Sequence, residues 1–517
     1  MSEPSNALPR TGAVPPTHTV PPAHTVPPTP AVPPALPVAP EVLSSVPTPA
    51  YVYDVAEVRR NHAALSDALP AGAGLYYSLK ANAHPAVLKV LRERGALPEV
   101  CSTGELDAAL GAGWPAADVL YSGPGKRDEE IDDALRRGVR LFSVDSAYAI
   151  EQLDRRAGGL GATARCLLRI NDDQPVPGQG LAMTGVASQF GADTRWVLDE
   201  PERFASRAHA EVMGLHLYMG TNLGDVDALV GQFARSLRTA RTLAAALAGH
   251  GVRIRVLDLG GGFGAPFATA GERIDLSGLR PKLTALLDEE LVALARELTP
   301  AAASPSGRPG DDVPQVVFES GRYLVGTAGV LLSAVLDVKR SHGKDVVVLE
   351  SGINHLGGMS GLRRLPALNP HLVAGSGPDG SGPDGSGPDA SDRQVELNAL
   401  VAGPLCTPLD TWARSARLPA LRPGDLVAVP NVGAYGLSAS LVAFLGHPLP
   451  AEAVIDGDRP GAAPDVTRLA FERRPAGHLP APAPEPRPRS RPHHDRTTGP
   501  APVPATAPAP AATLGVK

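Results

Sequence analysis

From Gly74 to Arg322 a short run rich in β-branched and aromatic residues gives way to a longer stretch of helical period, and this alternation occurs eight times. The strand runs are LYYSL (75–79), PEVC (98–101), DVLYS (118–122), RLFSV (140–144), ARCLLRI (164–170), EVMGLHL (211–217), IRVLDL (254–259) and QVVFE (315–319). Between them, segments such as PAVLKVLRERG, GELDAALGAG and RDEEIDDALRRG repeat apolar positions at helical spacing and end on glycine. Such alternation calls for parallel strands. Eight units close most naturally into a (β/α)8 barrel, with an open doubly wound sheet as the alternative. After Arg322 the texture changes: the stretches 327–351, 394–406, 425–435 and 466–474 alternate and are β-branched, with turn signals SHGK and RPGD among them. They predict a second, all-β domain with antiparallel pairing, joined by the strand TPAYVYD at 48–54 that precedes the barrel.

The barrel is thus expected over 47–322 and the β domain over 323–474. The 55 Pro and 55 Gly fall largely outside these regions or in their loops. Residues 1–46 repeat VPP at 14, 20, 26 and 32 and read as an extended or disordered arm, without the basic start and apolar core of a signal peptide. Residues 475–517 read as a second disordered tail, whose basic patch RPRSRPHHDR at 487–496 is set in solvated Pro/Ala sequence. GSGPD, three times over from 375 to 389, reads as a surface-loop expansion, because long loops add little closure entropy. A net charge of -6 asks for no nucleic-acid partner, and no apolar run reaches the length of a membrane span. Three scattered cysteines, Cys101, Cys166 and Cys406, form neither a disulfide framework nor a metal-ligand set, which points to a reduced, cytoplasmic protein.

In barrels of this kind the chemistry sits at the C-terminal ends of the strands. Here those ends carry Lys80, then Ser102 with Glu105, Asp145, Arg169 with Asn171, His216, the run Gly260-Gly261-Gly262, and Glu319 with Arg322. Lys80 ends a buried run, and burial ordinarily depresses a lysine pKa and frees a nucleophilic amine, the requirement for a Schiff base; the plainer alternative is a surface lysine. The glycine run exposes backbone amides suited to a phosphate, or simply makes a tight turn. His216 is open to three readings: a packed core histidine, a metal ligand or a ring-stacking group. Glu319 is compatible with a buried ion pair to Arg322 as well as with a partner for a ring nitrogen. A Schiff-base lysine, a phosphate turn and an acidic partner for a ring nitrogen on one barrel face are what pyridoxal phosphate requires.

The motifs YYSLKAN, EVCSTGEL, RIN followed by SQFG, GLHLYMGTN, LDLGGGFG, ESGRYLVG, GPLCTPLD and NVGAY, in that order over about 47–474, resemble the fold-type III pyridoxal phosphate decarboxylases, the ornithine, diaminopimelate and arginine group. The resemblance implies a barrel that holds the cofactor, a β domain that completes the site, and a homodimer with shared active sites. It makes Lys80 the cofactor lysine, His216 the imidazole stacked on the ring, and Gly260, Gly261 and Gly262 the phosphate loop, with Thr221 and Arg322 as further phosphate contacts. Glu319 becomes the partner of the pyridine nitrogen, Tyr435 a cofactor contact, and Cys406 the catalytic thiol offered by the partner subunit. Glu105 and Arg169 match substrate-side positions of the family. An alanine-racemase-like enzyme resembles the chain less, because it places an arginine where Glu319 stands.

One departure bears on the substrate. Ornithine and diaminopimelate decarboxylases place Asp or Glu after the thiol to read the distal group, whereas this chain has Thr407, with Asp410 as a substitute three residues on. GPLCTPLD looks more like members of specialised metabolism, such as the butirosin-type decarboxylase of carrier-bound glutamate. The expected activity is therefore decarboxylation of a free or carrier-bound amino acid. A racemase and a non-catalytic homologue that binds a protein partner stand as alternatives.

Overall fold

The computed structural model describes residues 38–173, 184–298, 313–359, 368, 370–375 and 396–471. All eight expected barrel strands are present, from the first to the eighth: Gly74–Ser78, Leu97–Val100, Leu120–Tyr121, Leu141–Val144, Ala164–Asn171, Ala210–His216, Val256–Asp258 and Gln315–Ser320. Each lies parallel to the next, and the eighth pairs with the first from Val317↔Gly74 to Ser320↔Tyr77. That last pairing closes the barrel and excludes the open sheet. The third strand is shorter than expected, because Ala116–Asp118 is drawn into a 3-10 turn before it.

Strand periodicity explains how the barrel is filled. Side chains alternate between the two faces of a strand, so every second residue points inward. One inward layer is an apolar plug of Tyr76, Leu120, Leu167, Met213 and Val317, with Leu97, Leu141 and Val256 packed against it, one residue from each strand. Two positions further along seven of the strands stand Ser78, Glu99, Ser122, Ser143, Arg169, Asp258 and Glu319. The sixth strand carries an extra residue, Met213, where Cys166 and Leu167 of the fifth strand pair with Val212 and Gly214, and there the polar residue, His216, comes three positions after Met213. All eight of these polar side chains are buried. A dry plug thus carries a polar ring on its C-terminal side.

Among the described residues the second sheet has nine strands. Ala50–Asp54 lies between Gly329–Ser341, to which it is antiparallel, and Ala451–Ile455, to which it is parallel. Lys344–Leu349 and Glu396–Ala402 are also parallel. The expected antiparallel domain is therefore a mixed sheet, and it includes Val373–Gly375, Thr411–Pro419 and Ala451–Ile455, which the sequence pattern does not announce. SHGK forms a two-residue hairpin loop with His342 at φ 48° and Gly343 at φ 78°, the left-handed pair that a right-twisted hairpin favours. Within the segment expected as a disordered arm over 1–46, Pro40–Ser45 is instead a short helix flanked by the buried Val38 and Val46. The rest of that arm, the GSGPD loop after Gly375 and the tail at 475–517 lie outside the described residues.

Candidate active site

Lys80 sits in the 3-10 turn Leu79–Ala81 that ends the first barrel strand. Its backbone surroundings are fixed from the second domain. The Tyr435 N–H donates to Ala81 O at 2.8 Å, the Asn82 amide donates to Gly433 O at 2.9 Å, and the Tyr77 hydroxyl holds Asn82 O at 2.7 Å. Two features of the NVGAY loop serve this clip. Tyr435 adopts φ 62°, uncommon for a residue with a side chain, and a Cβ on Gly433 would lie 1.9 Å from Val325 O. The lysine therefore projects from a rigid stem into a pocket lined by Ser78, Tyr218, Thr221, Gly261, Gly262, Glu319, Arg322 and Tyr435, among others.

Lys80 Nζ stands 3.5 Å from Glu99 Oε1. Burial pulls the ammonium down, but the negative charge of Glu99, with smaller contributions from Cys101, Tyr435 and Glu319, outweighs it and holds the pKa well above the ordinary lysine value. This corrects the depressed pKa expected from burial alone. Burial likewise pushes the Glu99 carboxyl up, yet the Lys80 charge and the hydroxyls of Ser122 and Ser78 bring it down to about 2. The cofactor-free site thus stores its amine as half of an ion pair. Capture of an aldehyde needs the neutral amine, so the capture rate of pyridoxal phosphate by the stripped enzyme should rise with pH, by about tenfold per unit below the lysine pKa. Glu99→Gln should raise the rate at neutral pH; stopped-flow absorbance reads both, and a flat profile for both proteins would count against the ion pair.

The glycine turn has the shape of a cradle. Gly260 and Gly262 take φ 66° and 108°, and a Cβ on Gly261 would come within 2.6 Å of Glu319 O. The turn is pinned by Gly260 N–H to Asp258 Oδ1 at 2.9 Å, Glu319 N–H to Gly260 O at 2.9 Å, the Gln232 amide to Gly261 O at 2.9 Å and Leu223 N–H to Gly262 O at 2.8 Å. Arg322, whose guanidinium lies over the Tyr435 ring at 5.1 Å and the Phe267 ring at 5.7 Å, adds a cation beside it. Glu319 approaches His216 rather than Arg322, with His216 Nε2 at 3.3 Å from Oε1. Burial first, then the charges of Glu99 and Asp258, push Glu319 well above the carboxylate range. Its Oε1 is buried without a hydrogen-bond partner. A buried orphan acceptor next to a backbone cradle that Cβ atoms would fill fits a ring N–H at one end and a phosphate at the other.

The structure parts from the sequence reading at His216. The imidazole is 1 % exposed, its Nδ1 is hydrogen-bonded to the Ser143 hydroxyl at 2.8 Å, and burial holds its pKa well below the ordinary value. It is a packed neutral histidine behind Glu319. The aromatic ring on the pocket wall belongs to Tyr218, two residues on, which sits against Gly260 and has the Arg169 guanidinium 5.9 Å from its centroid. Arg169 also lies 4.6 Å from the Phe190 ring of the SQFG segment.

The candidates for substrate contact are mostly engaged elsewhere. Glu105 accepts Cys101 N–H at 2.7 Å while its own N–H donates to Ser102 Oγ, capping the helix Thr103–Gly111. Asp410 is corrected outright. It is buried, accepts Ile353 N–H at 2.8 Å and Leu405 N–H at 2.7 Å on its two oxygens, and fits only because Gly352 and Gly403 have no Cβ. It folds its own loop and has no free carboxylate to offer. Cys406 is exposed, and neither it nor Thr407 lines the pocket of its own chain. Sequence reading passed over Tyr218, Glu99, Ser143 and Asp258. The signal for the last three was present, as a polar residue two positions after the apolar plug of each strand.

A closed barrel with a lysine, a glycine cradle and a buried carboxylate on its C-terminal face defines a pyridoxal phosphate enzyme. The chain belongs to the pyridoxal-dependent decarboxylases: the family's pyridoxal-binding domain matches residues 55–326. It is 31% identical over 407 residues to the L-glutamyl-[BtrI acyl-carrier protein] decarboxylase of Niallia circulans, covering 78% of this chain and 88% of that one. It is 33% identical over 418 residues to the diaminopimelate decarboxylase of Pseudomonas aeruginosa, covering 80% and 88%. Among solved structures, Helicobacter pylori diaminopimelate decarboxylase complexed with L-lysine is similar with a TM-score of 0.65 at 25% identity, over 83% of this chain and 96% of that one. The chain is accordingly a pyridoxal phosphate-dependent amino-acid carboxy-lyase.

Proposed function

We propose that the enzyme decarboxylates an amino acid whose distal end is not a free cation, with a carrier-bound glutamyl group as the leading substrate. The observation that carries this is Asp410: both of its oxygens are taken by backbone amides, so the turn that follows Cys406 presents Thr407 and no free carboxylate. A distal ammonium or amino-acid group placed there would lose its hydration without gaining a partner. The relative from Niallia circulans acts, by its name, on a carrier-bound glutamyl group.

Bound pyridoxal phosphate supplies the electron sink for the carbanion left when carbon dioxide departs. In this reading Lys80 bonds the cofactor, and Glu319 keeps the ring nitrogen protonated. Gly260, Gly261, Gly262, Thr221 and Arg322 bind the phosphate, Tyr218 and Tyr435 flank the cofactor, and Arg169 steadies Tyr218 from behind. Cys406 lies outside the pocket of its own chain, so it serves as proton donor in the pocket of a second copy, within a homodimer with shared active sites. No helix among the described residues is long and apolar enough to cross a membrane, and the three cysteines are free; a cytoplasmic setting follows as part of the proposal.

The test is a substrate panel read by mass spectrometry for loss of carbon dioxide. It offers free lysine, ornithine, arginine, meso-diaminopimelate and glutamate, and glutamate tethered to a carrier protein. Turnover of tethered glutamate with little of the free diamino acids is the expected result. Rapid release from free meso-diaminopimelate with none from the tethered substrate would overturn the substrate reading. Exchange at Cα without loss of the carboxylate would make the enzyme a racemase instead.

A further inference from the structure

One carboxyl of the interior ring has no role in the scheme above. Asp258 closes the seventh barrel strand and is fully buried, with Oδ1 accepting the Gly260 N–H at 2.9 Å. Its Oδ2 has no hydrogen-bond donor, and neither Glu319 Oε1 nor His216 Nε2 has a partner. The three side chains each bring a polar atom within 4.8 Å of the others. The neutral imidazole carries one N–H, but Asp258 Oδ2 and Glu319 Oε1, if both carboxyls are ionised, are acceptors facing each other in a buried site, where each forfeits its hydration with no compensating bond. The arrangement requires a proton among them. His216 does not take up a second proton, since burial disfavours its cationic form.

We propose that Asp258 is a positioning residue whose Oδ2 shares one proton with Glu319 while its own Oδ1 anchors the glycine turn. The inference rests on the reading that Glu319 meets the ring nitrogen of the cofactor. One side chain then joins the two ends of the cofactor site. A shift of the turn moves Asp258, and with it the carboxyl that shares the proton with Glu319.

The electrostatic surroundings agree. Asp258 faces Glu319 from the eighth strand, His216 from the sixth, Arg169 from the fifth, Glu99 from the second and Tyr76 from the first, and Lys80 acts on its partner Glu319. Burial is the largest influence on Asp258 and raises it to about 7, against the lowering effect of the Gly260 N–H. A carboxyl raised on folding stabilises the fold fully below the ordinary aspartate range, and that stability is lost as pH rises through the folded value.

The test uses the full chain stripped of cofactor, with thermal midpoints measured between pH 5 and 8. The wild-type midpoint should fall as pH rises towards 8. Asp258→Asn replaces the titrating acid by an amide of the same shape, and its midpoint should lose about one proton's worth of that pH dependence. Glu319→Gln should flatten the slope as well, since a shared proton needs both carboxyls, and it decides the matter if Asp258→Asn does not fold. Wild-type slopes in the folded variants would overturn the proposal. Decarboxylation by the loaded Glu319→Gln enzyme is measured separately: undiminished activity would refute the ring-nitrogen role of Glu319, whereas lost activity with unchanged slopes would refute the Asp258 proposal alone.

Discussion

Lys80→Ala is expected to lower decarboxylation by about a thousandfold or more and to remove the visible absorption of lysine-bound pyridoxal phosphate. The size of the effect follows from the geometry. Lys80 lines the pocket on a stem fixed by Tyr435, Asn82 and Tyr77, and the half-buried Lys126 is tied to the carbonyls of Gly123 and Ser143 at 2.6 Å each. Lys126 is therefore no replacement. Lys80→Arg should fare no better, because a guanidinium does not lose its proton in the accessible range and cannot bond the cofactor aldehyde. Absorbance spectra of the purified variants and carbon dioxide release check both statements. A yellow, active Lys80→Ala enzyme would mean that the pocket has been assigned to the wrong group.

The second large effect concerns Cys406. If the thiol works in the pocket of a second copy, Lys80→Ala and Cys406→Ala homodimers are both nearly inactive, yet subunit exchange between them should restore activity. Random reassociation puts half of the dimers in the mixed form, and each mixed dimer carries one intact site, so about a quarter of the wild-type activity should return. Mild denaturant followed by dilution, with activity followed over time, provides the measurement. No recovery, with exchange verified by differential tagging, would place Cys406 outside the chemistry or return it to its own chain's pocket.

Much of this architecture was legible in the residues, for identifiable reasons. A parallel barrel buries both faces of every strand, so each of its eight segments announces itself as a short apolar run between helices, and the final polar residue marks the open end. His216 shows where that logic stops. His216 and Tyr218 are two apart on one extended segment and share a face, so alternation cannot choose between them. The choice is made by where pairing ends, at His216↔Asp258, after which the chain turns and leaves Tyr218 against the glycine turn. Asp410 failed for a different reason: one of its two partners, Ile353, comes from a segment more than fifty residues away, and only the folded chain reveals that both oxygens are spent. The mixed sheet was hidden in the same manner, since Ala50 pairs with Ala451.

That pairing also orders events during synthesis on the ribosome. Ala50–Asp54 is made early, but its antiparallel neighbour begins at Gly329 and its parallel neighbour at Ala451. For most of translation the strand has no mate, while the barrel between them can assemble from contacts among consecutive units. The sheet is thus the last element to close. Its closing brings Tyr435 and Gly433 down onto the lysine stem, so a nascent chain can complete its barrel well before it owns a rigid catalytic lysine.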